Sequence, residues 1–176
     1  MKQSLLACML GTIFMLGGCA PLTESGGGGA MAASFVPSDC PRHFTKRPQY
    51  TCAGSTCRIR VQVVWNAATR TCEVQAENDK TFVSGVQGRV VRVEWELLSA
   101  PDWEFRDEAA PFAAPIMFKM PPQQPDVNFK KISVTGDKVV IDNLMANKGP
   151  FNHSIRVYHR RTNTGLEEDP ALVNDY

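Results

Sequence analysis

The chain is short of groups that do chemistry. It has three histidines and no cysteine after Cys72, so a copper site built from a thiolate and two imidazoles has no late cysteine to draw on. His153 and His159 fall on one face of one predicted strand, but six residues of strand separate them by about 20 Å, too far to share an ion. Residues 26–29 are four glycines with neither a following lysine nor a helix, so they form no phosphate loop. Ser55, in "AGSTC", lacks the strand-turn-helix elbow of a hydrolase nucleophile. The paired carboxylates Asp107-Glu108 and Glu167-Glu168 are sequence neighbours, which do not by themselves flank a substrate, and read as solvated surface. Met117 and Met120, in "IMFKMPP", read as packing. No enzymatic activity, metal or cofactor is expected. An excess of charge is missing too: 19 basic against 18 acidic residues leave +1, which offers no general attraction to nucleic acid. No window of ten residues carries a helical stripe.

What is there begins at the N-terminus. Lys2 precedes an apolar run over residues 5–16, "LLACMLGTIFML", of secretory length and too short to span a bilayer comfortably. It ends in Leu16-Gly17-Gly18-Cys19, which resembles the lipobox of bacterial lipoproteins. That resemblance implies a signal peptide over 1–18 and lipidation of Cys19, with diacylglycerol and an amide-linked acyl chain such as palmitate; several tails anchor stably where one would not. Alanine rather than aspartate at position 20 implies passage to the outer membrane, on its periplasmic side. Residues 19–34, with their glycine run, then read as a tether of about 20 Å root-mean-square span.

The remaining 140 or so residues suit one domain. Cys8 leaves with the signal and Cys19 takes lipid, so Cys40, Cys52, Cys57 and Cys72 remain, an even number in an oxidising compartment. Cys52 and Cys57 are too widely spaced for a thioredoxin-like pair, and only one short spacing exists where structural zinc wants two, although His43 stands near Cys40. Disulfides are expected. If a hairpin turns near residues 66–70, Cys72 lies opposite about Val63, roughly 20 Å along the ladder from Cys57, whereas a disulfide needs Cα atoms within about 7 Å. Cys52–Cys57 with Cys40–Cys72 is preferred; Cys40–Cys57 with Cys52–Cys72 stays open.

Beyond this Cys-containing segment over 35–57, the period is two. Residues 58–65, "RIRVQVVW", set Ile59, Val61, Val63 and Trp65 against Arg58, Arg60, Gln62 and Val64, and 89–98, "RVVRVEWELL", repeat the pattern. Weaker strands are predicted at 71–76, 80–83, 116–119, 129–135, 138–144 and 154–160, with a hairpin at Gly136-Asp137 and a loop at 147–150. Eight short strands over 58–176 predict an all-β fold, a single antiparallel β-sandwich stapled by disulfides, with the proline-bearing stretches 101–115 and 121–125 crossing between sheets. The basic "HSIRVYHRR" and acidic "LEEDPALVNDY" read as a solvated strand face and a solvated tail.

The order "CEVQ", a glycine, "VVRVEWELL", "DWEF", "PIMF", "HSIRVYHRR" and "DPALVND" resembles small uncharacterised proteobacterial envelope proteins with a cupredoxin-like or immunoglobulin-like sandwich, over residues 71–176. The resemblance implies a fold and no activity. Trp103 and Phe105, flanking Glu104 beside a proline-rich loop, offer a candidate binding surface; the competing reading has Trp103 plug one end of the sandwich. A membrane-anchored lipoprotein of the cell envelope that binds a protein or glycan is the expectation. Its rivals are a periplasmic small-ligand or metal-handling protein using the rim near His43, His153 or Met117, and a lipoprotein subunit of a secretion or conjugation apparatus.

Overall fold

The computed structural model describes residues 37–40, 45–98, 101–107, 114–119 and 127–176; the signal, the tether and Cys19, like His43 and Met120, lie outside them. A 3-10 turn, Pro37–Asp39, precedes twelve strands: β1 Arg47–Cys52, β2 Thr56–Asn66, β3 Thr71–Ala76, β4 Asn78–Ser84, β5 Val91–Leu97, β6 Trp103–Glu104, β7 Ile116–Phe118, β8 Phe129–Val134, β9 Lys138–Asn143, β10 Gly149–His159, β11 Gly165–Glu168 and β12 Ala171–Asp175. They form two sheets packed as a sandwich. One runs β3-β2-β5-β9-β8; the other runs β1-β4-β12-β10-β11, with β6 and β7 also paired to β10.

The alternation read in β2 and β5 decides which side chains enter the core. Ile59, Val61 and Val63 from β2, with Val91, Val93, Trp95 and Leu97 from β5, are buried, while Arg58, Arg60 and Arg92 between them are exposed; the alternation fails beyond Val61, where Gln62 and Val64, read as outward, are buried as well and Trp65 is only half-buried. Each such aliphatic side chain contributes on the order of 1.5–3 kcal/mol on burial. Val139 and Ile141 of β9 extend this layer, and Phe151, Ile155 and Val157 of β10 with Leu172 of β12 face it from the other sheet.

The predicted all-antiparallel arrangement holds only in part. β1 with β4, β4 with β12, and β2 with β5 pair in parallel. Parallel neighbours arise because the chain changes sheet between them: β2 leads through β3 and β4 before β5 returns beside it. The turn over residues 67–70 sets Cys72 opposite Trp65 rather than Val63, which carries it still further from Cys57. Gly149 and Pro150, predicted as loop, begin β10. The connections from β5 to β6 and from β7 to β8 do cross between sheets, the first of them earlier than the prolines suggested.

The acidic C-terminus is not a solvated tail. It supplies β11 and β12, and Leu172 and Asn174 are fully buried. Arg156 is buried on β10 and pairs with Glu167 of β11 at 3.3 Å, so that strand face is not solvated either. The Asn174 amide reaches across to the other sheet, where Asn143 Nδ2 donates to Asn174 Oδ1 at 2.6 Å and Asn174 Nδ2 donates to the Asn147 carbonyl at 3.0 Å. Asn143 Oδ1 also accepts the Met145 N–H at 3.1 Å, holding Met145 at a left-handed φ of 48°. Asn174→Ala strands these buried groups and is expected to cost about 2 kcal/mol, read as a lowered urea midpoint at unchanged slope.

Candidate binding groove

The most distinctive site geometry lies where one strand leaves its sheet for the other. β3 pairs with β2 as far as Ala76 opposite Val61; two residues later β4 pairs with β1, Asn78 opposite Arg47. Glu77 is the corner between them. Its N–H donates to the Arg60 carbonyl at 2.8 Å, and its carbonyl accepts the Arg47 N–H at 2.8 Å. β1 and β2 therefore belong to different sheets and form no ladder with each other, although the Cys52–Cys57 disulfide ties their near ends with Cα atoms 5.4 Å apart. The result is a splayed hairpin, clipped at one end and wedged at the other by Glu77.

Between its arms lies an open groove of about 390 Å³ lined by Arg47, Tyr50, Arg58, Arg60, Glu77 and Glu96. Its charges fall in columns. The solvent-facing residues of β2 are Arg58 and Arg60, and directly across the parallel ladder stand Glu94 and Glu96 of β5. Arg58 meets Glu94 at 3.3 Å, but Lys138 shares that carboxylate at 3.7 Å. Arg60 reaches Glu77 at 4.0 Å. Arg47 makes no ion pair among the described residues, and Tyr50 is 41% exposed. This lining offers guanidinium and phenol donors, and it holds no pairing of a nucleophile with a base. A smaller hollow of about 250 Å³, lined by Ser55, Thr56, Val90, Arg92 and Asp142, lies by the clip. Ser55 thus sits in a surface turn.

The four cysteines pair in the preferred way, Cys40 with Cys72 and Cys52 with Cys57. The aromatic surface proposed from the sequence is absent: Trp103 and Phe105 are 1% and 2% exposed. Trp103 Nε1 donates to the Asp39 carbonyl at 2.8 Å, and its ring meets the His159 ring edge-on at 5.0 Å. The short strand that carries it pairs with β10, opposite His159, so this tryptophan closes the end of the sandwich.

Of the proposed rim His43, His153 and Met117, His43 lies outside the described residues, and His153 and Met117 have separate surroundings. His153 is buried between Trp95 and Phe118, ring centroids 5.4 and 5.3 Å away, and His159 Nδ1 lies 2.9 Å from Thr162 Oγ1. The Arg156 guanidinium donates to the Met117 sulfur at 3.5 Å. Among the described residues no three of His, Cys, Asp and Glu gather as metal ligands. Ser154 Oγ donates to Asp169 Oδ1 at 2.8 Å, and Lys119 Nζ lies 2.6 Å from Oδ2. The hydrogen bonds from Lys119 and Ser154 hold the Asp169 carboxyl below its usual range, which makes it a poor base for that serine. Glu167 and Glu168 are not equivalent surface acids. Burial pushes the Glu168 carboxyl up despite contacts with Lys46 and the Ala76 N–H. Through Ala76 it fastens β11 to β3 and closes the side of the sandwich. Glu167 is held low: hydrogen bonds from Ser154 and Arg156 outweigh the burial that raises it.

The groove escaped the sequence reading because β1, "RPQYTC", is exposed along all but its last residue and has no alternation to find. A proline followed by polar residues next to a cysteine clip was the available signal, since proline within a sheet belongs at an edge. No protein-family model matches the chain, and no curated protein does.

Proposed function

We propose that this chain is a non-enzymatic, membrane-anchored lipoprotein of the cell envelope whose sandwich serves as a binding module for a protein or glycan partner. The observation that carries this reading is the splayed β1–β2 hairpin, an open polar groove with three arginines on its walls and a disulfide holding its shape. A rigid scaffold with a preformed recess binds without reordering, which preserves affinity. The secretory run and the Leu16-Gly17-Gly18-Cys19 motif support the anchor. A subunit of a secretion or conjugation apparatus is one form of this reading, in which the partner is a neighbouring subunit.

Crosslinking in intact cells, followed by affinity capture from solubilised membranes, is expected to enrich one stoichiometric partner over a Cys19→Ser control. Enrichment of nothing over that control overturns the reading. In the same cells, Cys19→Ser is expected to move the protein from the membrane to the soluble periplasmic fraction; retention in the membrane defeats the anchor assignment.

A further inference from the structure

Two strand edges come to the groove without partners among the described strands. β5 occupies one side of β2 over residues 56–61, and β3 occupies the other side only from Val61 onward. Residues 56–60 therefore have no described strand on the β3 side. The direction of their backbone groups follows from the bonds around them. The Ser55 and Val61 carbonyls accept from Arg92 and Leu98 at 2.9 and 2.8 Å, so odd positions face β5, whereas the Arg60 carbonyl accepts from Glu77. By alternation the N–H and C=O of Arg58, and those of Thr56, point into the groove. No ladder of the described strands takes them. β1 is likewise the edge of its sheet, with β4 on one side and no described strand on the other.

At one end Arg47 and Arg60 both bond to the Glu77 backbone; at the clip the arms are held at a Cα separation of 5.4 Å. The open edge of β2 between these ends is where an extended chain would pair, in the row that β3 vacates. The charge columns say which chain. Beside β2 on the β5 side the outer column is already acidic, Glu94 and Glu96. A strand on the vacant side has the Arg58 and Arg60 column next to it, and Arg47, which pairs with no acid among the described residues, lines the same groove. Opposite charges directly across a ladder stabilise, and like charges destabilise.

We infer that the groove takes a short extended segment of a partner protein by strand addition, its main chain pairing with Arg58 and its acidic side chains, at every second position, lying against Arg58, Arg60 and Arg47. This rests on the binding-module reading and names the partner chemistry and the edge that receives it. Affinity comes from the main-chain bonds, and selectivity from the alternate side chains.

The test uses the full-length lipidated protein in detergent and a fluorescent hexapeptide of alternating glutamate and threonine, blocked at both ends and read by anisotropy. Saturable binding is expected, weakened tenfold or more when lysine replaces glutamate. Methylating the amide nitrogens on the edge turned to β2 is expected to weaken it as much, because the charges remain while the donors are lost. Arg58→Glu with Arg60→Glu, both exposed, is expected to reverse the preference between the acidic and basic peptides. Absence of saturation, indifference to N-methylation, or preference for an acidic uronic-acid oligosaccharide over the peptide overturns the proposal. Repeating the cellular capture with the Arg58→Glu/Arg60→Glu protein separates the two levels. Loss of the wild-type partner supports the groove. Retention of that partner rejects the groove and leaves a binding module that uses another surface, whereas a wild type that captures nothing removes both.

Discussion

Replacing Cys40 and Cys72 together by alanine is expected to cost about 4 kcal/mol of stability, roughly twice the cost, about 2 kcal/mol, of replacing Cys52 and Cys57. The disulfides close chain separations of 32 and 5 positions. In the chain-entropy account, the longer loop removes more freedom from the unfolded ensemble. The native contacts act in the same direction. Cys40 follows directly on Asp39, whose carbonyl takes the Trp103 indole N–H and whose carboxylate lies 3.7 Å from Arg161. Releasing Cys40 from β3 therefore loosens the segment that seats the end plug. Cys52 and Cys57 instead hold a surface turn already flanked by two paired strands. Urea unfolding of the two double variants gives the comparison directly. Equal losses, or a larger loss from the short loop, would show that the disulfide to Cys40 does not organise the end of the sandwich. The Cys52/Cys57 variant should also weaken groove binding by letting the β1–β2 arms spread.

Acidification from pH 6.5 to 4 is expected to remove about 3 kcal/mol of stability through His153 alone. Burial among Trp95 and Phe118 lowers its pKa from 6.5 to about 4, with the Phe151 backbone and the Asp169 charge opposing weakly. Neither ring nitrogen has a hydrogen-bond partner of normal geometry. Below pH 6.5 the unfolded chain takes up this proton while the folded one refuses it, so stability falls as pH falls. The contribution is intact above 6.5 and is lost progressively down to about 4. Glu168, whose pKa burial raises, works in the opposite direction, so the informative quantity is a difference between proteins. His153→Phe keeps a planar ring in the aromatic cluster and cannot charge. Its stability should fall by about 3 kcal/mol less than that of the native protein between pH 7 and 4. Parallel losses in the two proteins would sink the assignment.

Much of the architecture was legible because it is written locally. Alternation in "RIRVQVVW" and "VVRVEWELL" marks one face of each strand for burial, whatever the strand pairs with, and Gly136-Asp137 supplies the turn between β8 and β9. Local patterns say little about edges or ends. β1 escaped notice because both its faces meet solvent. β11 and β12 escaped because the acids of "LEEDPALVNDY" look solvated, while Leu172 and Asn174 are buried only by strands distant in sequence. The sequence left Trp103 between a binding surface and an end plug for the same reason: its cover, which makes it the plug, comes from Asp39 and His159, far away along the chain.

The sequence by itself determined that the folded part is an all-β sandwich and that Cys57 and Cys72 lie too far apart to pair, since side-chain period and distance along a strand are properties of neighbours; the structure chose between the two pairings left open. Only the tertiary structure decided that β2 and β5 run parallel, that His153 is buried in an aromatic cluster, and that β1 and β2 part company at Glu77. Each of these depends on which sheet a strand joins. That choice is made by summed packing across both layers, and no stretch of ten residues contains it.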